Sequence, residues 1–275
     1  MIELRFPTTL SSILRHVGLV LAVGWSSPSS AVARHWETYV GDATDLDSGE
    51  WRYRERHLVQ FDPDLSQRLI IYECADGTAF ARKWIDYRRS TLAPDFVLQD
   101  AARGTVEGAV LTASAASSFR FEPDNVERVH SLSPDEIQVV DAGFDVWIEQ
   151  SWMELLEGGE QRVPLLIPSR GESYRFSVQA KTSAVLDHVE HTVVEARLAS
   201  WIGFWLPKIE VTYRLHDRWL RRFEGPTNLR DGDNQLLTVR IEFPQLPQPA
   251  GASDWAHAFA APLQSCQASS QTARR

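Results

Sequence analysis

Trp51-Arg52-Tyr53-Arg54-Glu55-Arg56-His57-Leu58-Val59-Gln60-Phe61 is the stretch that decides the fold. Its odd positions are Trp51, Tyr53, Glu55, His57, Val59 and Phe61, and its even positions are mostly Arg52, Arg54, Arg56 and Gln60. Successive side chains of a strand point to opposite faces, so this period of two predicts a strand with one covered aromatic face and one solvated basic face. Pro63 and Asp64 interrupt it. Residues 68–74 and 78–87 then read as two more strands around Ala75-Asp76-Gly77-Thr78, whose Asp-Gly suits a tight hairpin. A meander is the simplest arrangement, and further short strands are predicted at 95–98, 105–112, 118–122 and 126–131.

The pattern changes at Ser133-Pro134-Asp135-Glu136, where a capping residue precedes a proline and two acidic groups suited to the first turn of a helix. Ile137, Val140, Phe144, Trp147, Ile148 and Trp152 follow at spacings of three and four, and Gly158-Gly159 supplies a stop. The spacing predicts one amphipathic helix over 134–157, weak at Gly143, lying across a sheet. Strands resume at 162–168. Tyr174, Phe176, Val178 and Ala180 alternate with polar residues, as do Ile209, Val211, Tyr213 and Leu215, and then Leu237, Val239, Ile241 and Phe243. Sheets solvated on one side read this way. The fold class expected is mainly β, a curved antiparallel sheet forming an open barrel or half-barrel crossed by the helix, as one domain over 34–246. Pro247, Pro249, Gly251 and the Ser/Gln/Ala-rich run after them read as a flexible tail over 247–275.

The first 33 residues read as an export leader. Arg5 and Arg15 give a positive start, residues 17–25 are a short apolar run, and Ala31-Val32-Ala33 is a small-x-small cleavage site. The run is far shorter than the ~20 residues that span a bilayer, and no cysteine follows it for lipid attachment. A mature chain from Arg34, periplasmic or secreted and without a transmembrane segment, is expected. The net charge of −9 weighs against nucleic acid and against electrostatic docking on anionic membranes. Cys74 and Cys266 are the two cysteines. A bridge between them would have to pin the tail, so the plainer reading is two free thiols.

No Gly-rich phosphate loop, nucleophile elbow, paired-histidine zinc helix or zinc-spaced cysteine pair is present in the sequence, and no cofactor or metal is expected. His188 and His191 fall on opposite faces of a strand, and Asp231-Gly232-Asp233-Asn234 reads as a hairpin turn in preference to a calcium loop. The unusual placement is Glu55 with His57 on an otherwise aromatic face, because a buried carboxylate needs a partner. Lys83, which shares a face with Ala81, Ile85 and Tyr87, is the nearest candidate by topology, and Asp86, Asp100, Arg103 and Glu107 could extend the cluster. An ion pair knitting strands together is the plainer reading. A polar patch at the floor of a cavity, binding a ligand headgroup or doing acid/base work, is the functional one. Trp201, Phe204, Trp205 and Leu206 form a compact aromatic run, read as core before binding platform.

Tyr53-Arg54-Glu55-Arg56-His57, residues 80–87, Pro94-Asp95-Phe96 and Asp141-Ala142-Gly143-Phe144-Asp145 together resemble a group of uncharacterised exported proteins of proteobacteria. Residues 206–213 with 222–229 resemble the closing hairpins of periplasmic half-barrel proteins of the lipoprotein-carrier-like type. That resemblance implies a strongly curved sheet wrapped around a helix, with an apolar concavity that in the carriers receives acyl chains. The function expected is non-enzymatic binding of an apolar or lipid-like ligand, with Glu55, His57, Lys83, Tyr87, Phe144 and Trp147 around it. The alternatives are an interaction domain whose concavity is filled by Phe144, Trp147 and Trp152, and an enzyme using Glu55, His57 and Lys83.

Overall fold

The computed structural model describes residues 34–112, 116–123, 128–132, 139–181, 184–186, 188–200 and 208–266. The leader of residues 1–33 and the aromatic run of 201–206 lie outside the described residues, as do 267–275. One large, curved sheet that does not close dominates the molecule. Its first half is a meander of β1 (His35–Asp45), β2 (Trp51–Phe61), β3 (Leu65–Glu73), β4 (Ala79–Asp86), β5 (Asp95–Asp100), β6 (Thr105–Leu111), β7 (Ala116–Phe121) and β8 (Arg128–Leu132), each antiparallel to the next. A short β9 (Val139–Val140) and two helices, α1 (Gly143–Gln150) and α2 (Trp152–Leu156), lead into the second half. That half holds β10 (Gln161–Ile167), β11 (Glu172–Ala180), β12 (Ala184–Leu186), β13 (Val189–Leu198), β14 (Ile209–Arg214), β15 (Leu220–Arg230) and β16 (Leu236–Glu242). Pairing of β1 with β16 joins the halves.

The alternation read in β2 is realised from Arg52 onward: Tyr53, Glu55, His57 and Val59 are buried while Arg52 and Arg54 are exposed; Trp51, expected on the covered face, is exposed at the start of the strand. Asp76-Gly77 and Asp231-Gly232-Asp233-Asn234 are the turns of the β3–β4 and β15–β16 hairpins. β1 escapes a periodicity reading because two of its three buried positions, Gly41 and Ala43, are small. A Cβ on Gly41 would lie 2.5 Å from the Phe243 ring, so glycine is what lets that ring reach the concave face.

The predicted helix over 134–157 is corrected. Residues 133–138 are outside the described set, Val139 and Val140 pair in parallel with Leu165 and Leu166, and the helical segment runs from Gly143 to Leu156 with a break at Ser151. Pairing with a sheet edge satisfies backbone groups that the helix would otherwise hold, so tertiary context overrides the three-and-four spacing. The Val140 amide also donates to the Leu92 carbonyl at 2.9 Å. Gly143 is a point of close approach, since a Cβ there would sit 1.9 Å from the Leu92 oxygen.

Over its described residues, up to Cys266, the tail reading is corrected too. β17 (Gln248–Ala250) pairs with β1, and α3 (Ala252–Ala260) packs Trp255 and Ala258 onto Leu58, Leu69 and Ile71 on the convex face. Arg82 donates to the Phe259 carbonyl, and the Gln264 amide to Ala79 at 2.9 Å. Cys74 and Cys266 form a disulfide, against the expectation of free thiols. The apolar residues Trp255 and Ala258, set among polar ones, are what bring the second cysteine to the end of β3. β3 is therefore covered on both faces, which explains the unbroken buried run from Leu69 to Tyr72.

Candidate functional site

Cross-strand partners share a face of a sheet, so the register aligns Tyr39, His57, Ile70, Lys83, Leu98, Glu107 and Arg120 in one row from β1 to β7. Glu55 lies one row away with Tyr72 and Asp100's partner Ala81, and Arg68 one row away on the other side with Val59 and Ile85. The first half thus sets several ionisable groups side by side on its concave face. Opposite them, the turn before α1 contributes Asp141 and the first turn of α1 contributes Asp145.

Each pairing has a defined geometry. His57 Nε2 lies 2.9 Å from Glu55 Oε2, with both residues buried. The imidazole stacks on Tyr39 at 4.5 Å between ring centroids and meets the Phe243 ring edge-on at 5.5 Å. Burial lowers the His57 pKa and outweighs the opposing pull of Glu55, so the ring is neutral at pH 7. Lys83 Nζ donates to Asp141 Oδ1 at 2.6 Å and stands 5.1 Å over the Phe96 ring. The topological expectation that Lys83 would meet Glu55 is therefore corrected: Asp141, held at φ 48°, brings its carboxylate to Lys83 from another element. A non-glycine residue in the left-handed region costs about 1–3 kcal/mol, so the local fold sustains a strained turn to seat this carboxylate. Arg120 donates to Glu107 at 2.8 Å, and the Tyr213 hydroxyl donates to Asp145 Oδ1 at 2.6 Å. Burial pushes the Tyr39 phenol up to about 12 and raises Tyr72 and Tyr213 well above the ordinary phenol value, so these hydroxyls stay neutral.

The second half is different. Phe144, Trp147 and Ile148 of α1 and Trp152 and Leu155 of α2 pack on Val163, Val178, Val194, Ala196 and Val211. Between this wedge and the charged rows lies a cavity of about 340 Å³. Its charged side is Glu55, His57, Arg68, Lys83, Glu107, Asp141 and Asp145, and most of the remaining wall is apolar, including Ile70, Phe144, Leu165, Phe176, Val211 and Phe243. No serine or cysteine is among the described residues lining it, and no cluster of three metal-ligating side chains occurs among the described residues. Chemically, the wall offers the His57 imidazole, the Lys83–Asp141 and Arg120–Glu107 ion pairs, the Glu55 and Asp145 carboxyl groups and the Arg68 guanidinium.

Of the residues expected around a ligand, Glu55, His57, Lys83 and Phe144 line the cavity. Tyr87 and Trp147 do not. The Tyr87 ring lies beneath the Arg68 guanidinium at 5.8 Å, and Trp147 stacks behind Phe144 at 6.0 Å between centroids. Arg68, Asp141 and Asp145 were not singled out as site residues from the sequence. Arg68 carried a usable signal, a charge sharing a strand face with Ile70 and Tyr72, whereas the two aspartates depended on where the chain crosses the sheet.

No family model matches the chain, and no curated protein matches it. Among solved structures, a β-barrel-like protein of domain of unknown function DUF1849 from Brucella abortus aligns with TM-score 0.48 and 9% identity, covering 79% of this chain and 99% of that one. A DUF1329 family protein from Desulfovibrio piger aligns with TM-score 0.33 and 8% identity over 86% and 93% of the two chains. A domain described as an outer membrane lipoprotein-sorting protein from Vibrio parahaemolyticus aligns with TM-score 0.25 and 9% identity over 82% and 91%. All three TM-scores lie below 0.5, so what this chain shares with each is a partial likeness.

Proposed function

We propose that this protein is an exported, non-enzymatic binding protein that holds an apolar, chain-like ligand in the concavity of its sheet. The observation that carries the reading is the cavity of about 340 Å³ left beside the aromatic wedge. A curved sheet with an apolar concave face either fills its hollow or leaves room for a guest, and small-molecule sites run from roughly 300 to 1,000 Å³ with mostly apolar walls and a few convergent polar groups. Here Phe144, Trp147 and Trp152 fill one part of the hollow and leave the other open. Export is supported by the leader-like residues 1–33 and by the disulfide, a bond that persists in oxidising compartments.

The test is binding of the fluorescent apolar probe N-phenyl-1-naphthylamine to the full chain, together with native mass spectrometry of protein isolated gently from the envelope. Probe emission is expected to rise on binding, to fall when a chain-like amphiphile competes, and to be lost in Val211→Trp, where the indole would occupy the cavity. Absence of both probe binding and any co-purified small molecule would overturn the reading.

A further inference from the structure

We infer that the ligand is a single-chain amphiphile with an anionic oxygen headgroup, a carboxylate or a phosphate, received by the Arg68 guanidinium. The inference rests on the cavity-binding reading above and specifies the ligand's polar end. Every other charged side chain on the cavity wall already has a partner at hydrogen-bond distance: Glu55 with His57, Lys83 with Asp141, Glu107 with Arg120, and Asp145 with the Tyr213 hydroxyl. Arg68 is the exception. Its side chain is 14% exposed, its nearest carboxylate oxygen, Asp145 Oδ2, stands 3.9 Å away, and its Nε is buried with no hydrogen-bond partner among the described residues.

An arginine does not shed its charge, so a largely buried guanidinium without an acceptor leaves a desolvation cost standing in the unliganded protein. A neighbouring carboxylate at 3.9 Å offsets part of that cost by Coulomb attraction while leaving Nε without an acceptor among the described residues. Carboxylates and phosphates match that fork in two parallel hydrogen bonds, which an alcohol or an ammonium does not. Arg68 projects beside Ile70 on the concave face, so a headgroup seated on it directs the attached chain into the apolar part of the cavity. The volume lies at the small end of ligand sites, which fits one chain better than two.

The experiment is calorimetric titration of the full chain with dodecanoate, dodecyl phosphate, dodecanol and dodecyltrimethylammonium, each below its aggregation concentration. One or both anions should bind about tenfold or more tighter than dodecanol, the scale of hydrogen bonds to a charged group, and the tighter anion identifies the headgroup. Arg68→Met should abolish that preference, bringing the anions level with dodecanol in the same variant, and Arg68→Lys, which keeps the charge but not the fork, should retain part of it. The wild-type comparison stands even if a variant folds poorly. Equal affinity for anions and alcohol, or tighter binding of the ammonium, overturns the headgroup assignment and leaves the cavity reading intact. Failure of all four to bind overturns both.

Discussion

The two halves of the sheet contrast most clearly along matching rows of their concave faces. In the first half the row Tyr39, His57, Ile70, Lys83, Leu98, Glu107, Arg120 interleaves ionisable and apolar groups. In the second, the row Ala180, Val194, Val211, Phe223, Ile241, continuing to Ala43 of β1, is apolar throughout. The apolar row can be covered by hydrophobic burial alone, and α1 and α2 supply the aromatic cover. The charged row needs specific partners for each group, and a helix packed directly on it would strand charges out of water. The wedge stops where the charges begin, and the cavity lies at that boundary.

Truncating the wedge should have the largest effect. Trp147→Ala removes a buried indole from the second half and is expected to cost about 3–5 kcal/mol, measured by urea unfolding, with little change in the pH dependence of stability. A loss under 1 kcal/mol would mean that the wedge is not what stabilises the apolar half. Breaking the first half's ion pair comes next. Lys83→Met leaves the Asp141 carboxylate buried without its cation, for about 3 kcal/mol, at the low end of buried-pair losses because the cavity adjoins it. Adding Asp141→Asn should recover much of that loss, and no recovery would show that Lys83 acts through packing.

Acid should separate the halves by pH. The His57 pKa in the folded state lies below its unfolded value of 6.5, so the native state binds fewer protons there. Stability is full above about pH 6.5 and falls as the pH is lowered. Glu195 of β13 lies on the opposite, convex face, where hydrogen bonding to Arg197, and then to Lys208 and Lys181, lowers its pKa from 4.5 to about 2. Its contribution is complete above pH 4.5 and is lost as the pH falls through about 2; with basic partners that are partly exposed, it amounts to about 1–2 kcal/mol. Thermal melts across pH should therefore show two limbs, with His57→Gln flattening the upper one and Glu195→Gln the lower one. Loss of both limbs in one variant would mean that the two sites are coupled through the sheet.

Sequence periodicity alone determined much of the architecture. The strands of β2, β11, β14 and β16 were legible because each alternates apolar and polar residues, and alternation follows from chain geometry within a single strand. Glu55 and His57 stood out as polar groups on an aromatic face, and Arg68 carried the same kind of signal. β1 and β15 were not legible, because Gly41 and Ala43 in one and Gly225 and Pro226 in the other break the pattern, the two glycines where neighbouring segments approach closely. Only the tertiary structure decided that Lys83 answers to Asp141, 58 residues away, that Val139 and Val140 leave the helix to pair with a strand, and that Cys266 returns to Cys74. Each of these depends on where a curved sheet brings distant segments together, a property of pairing across the whole chain that no local period of two or 3.6 contains.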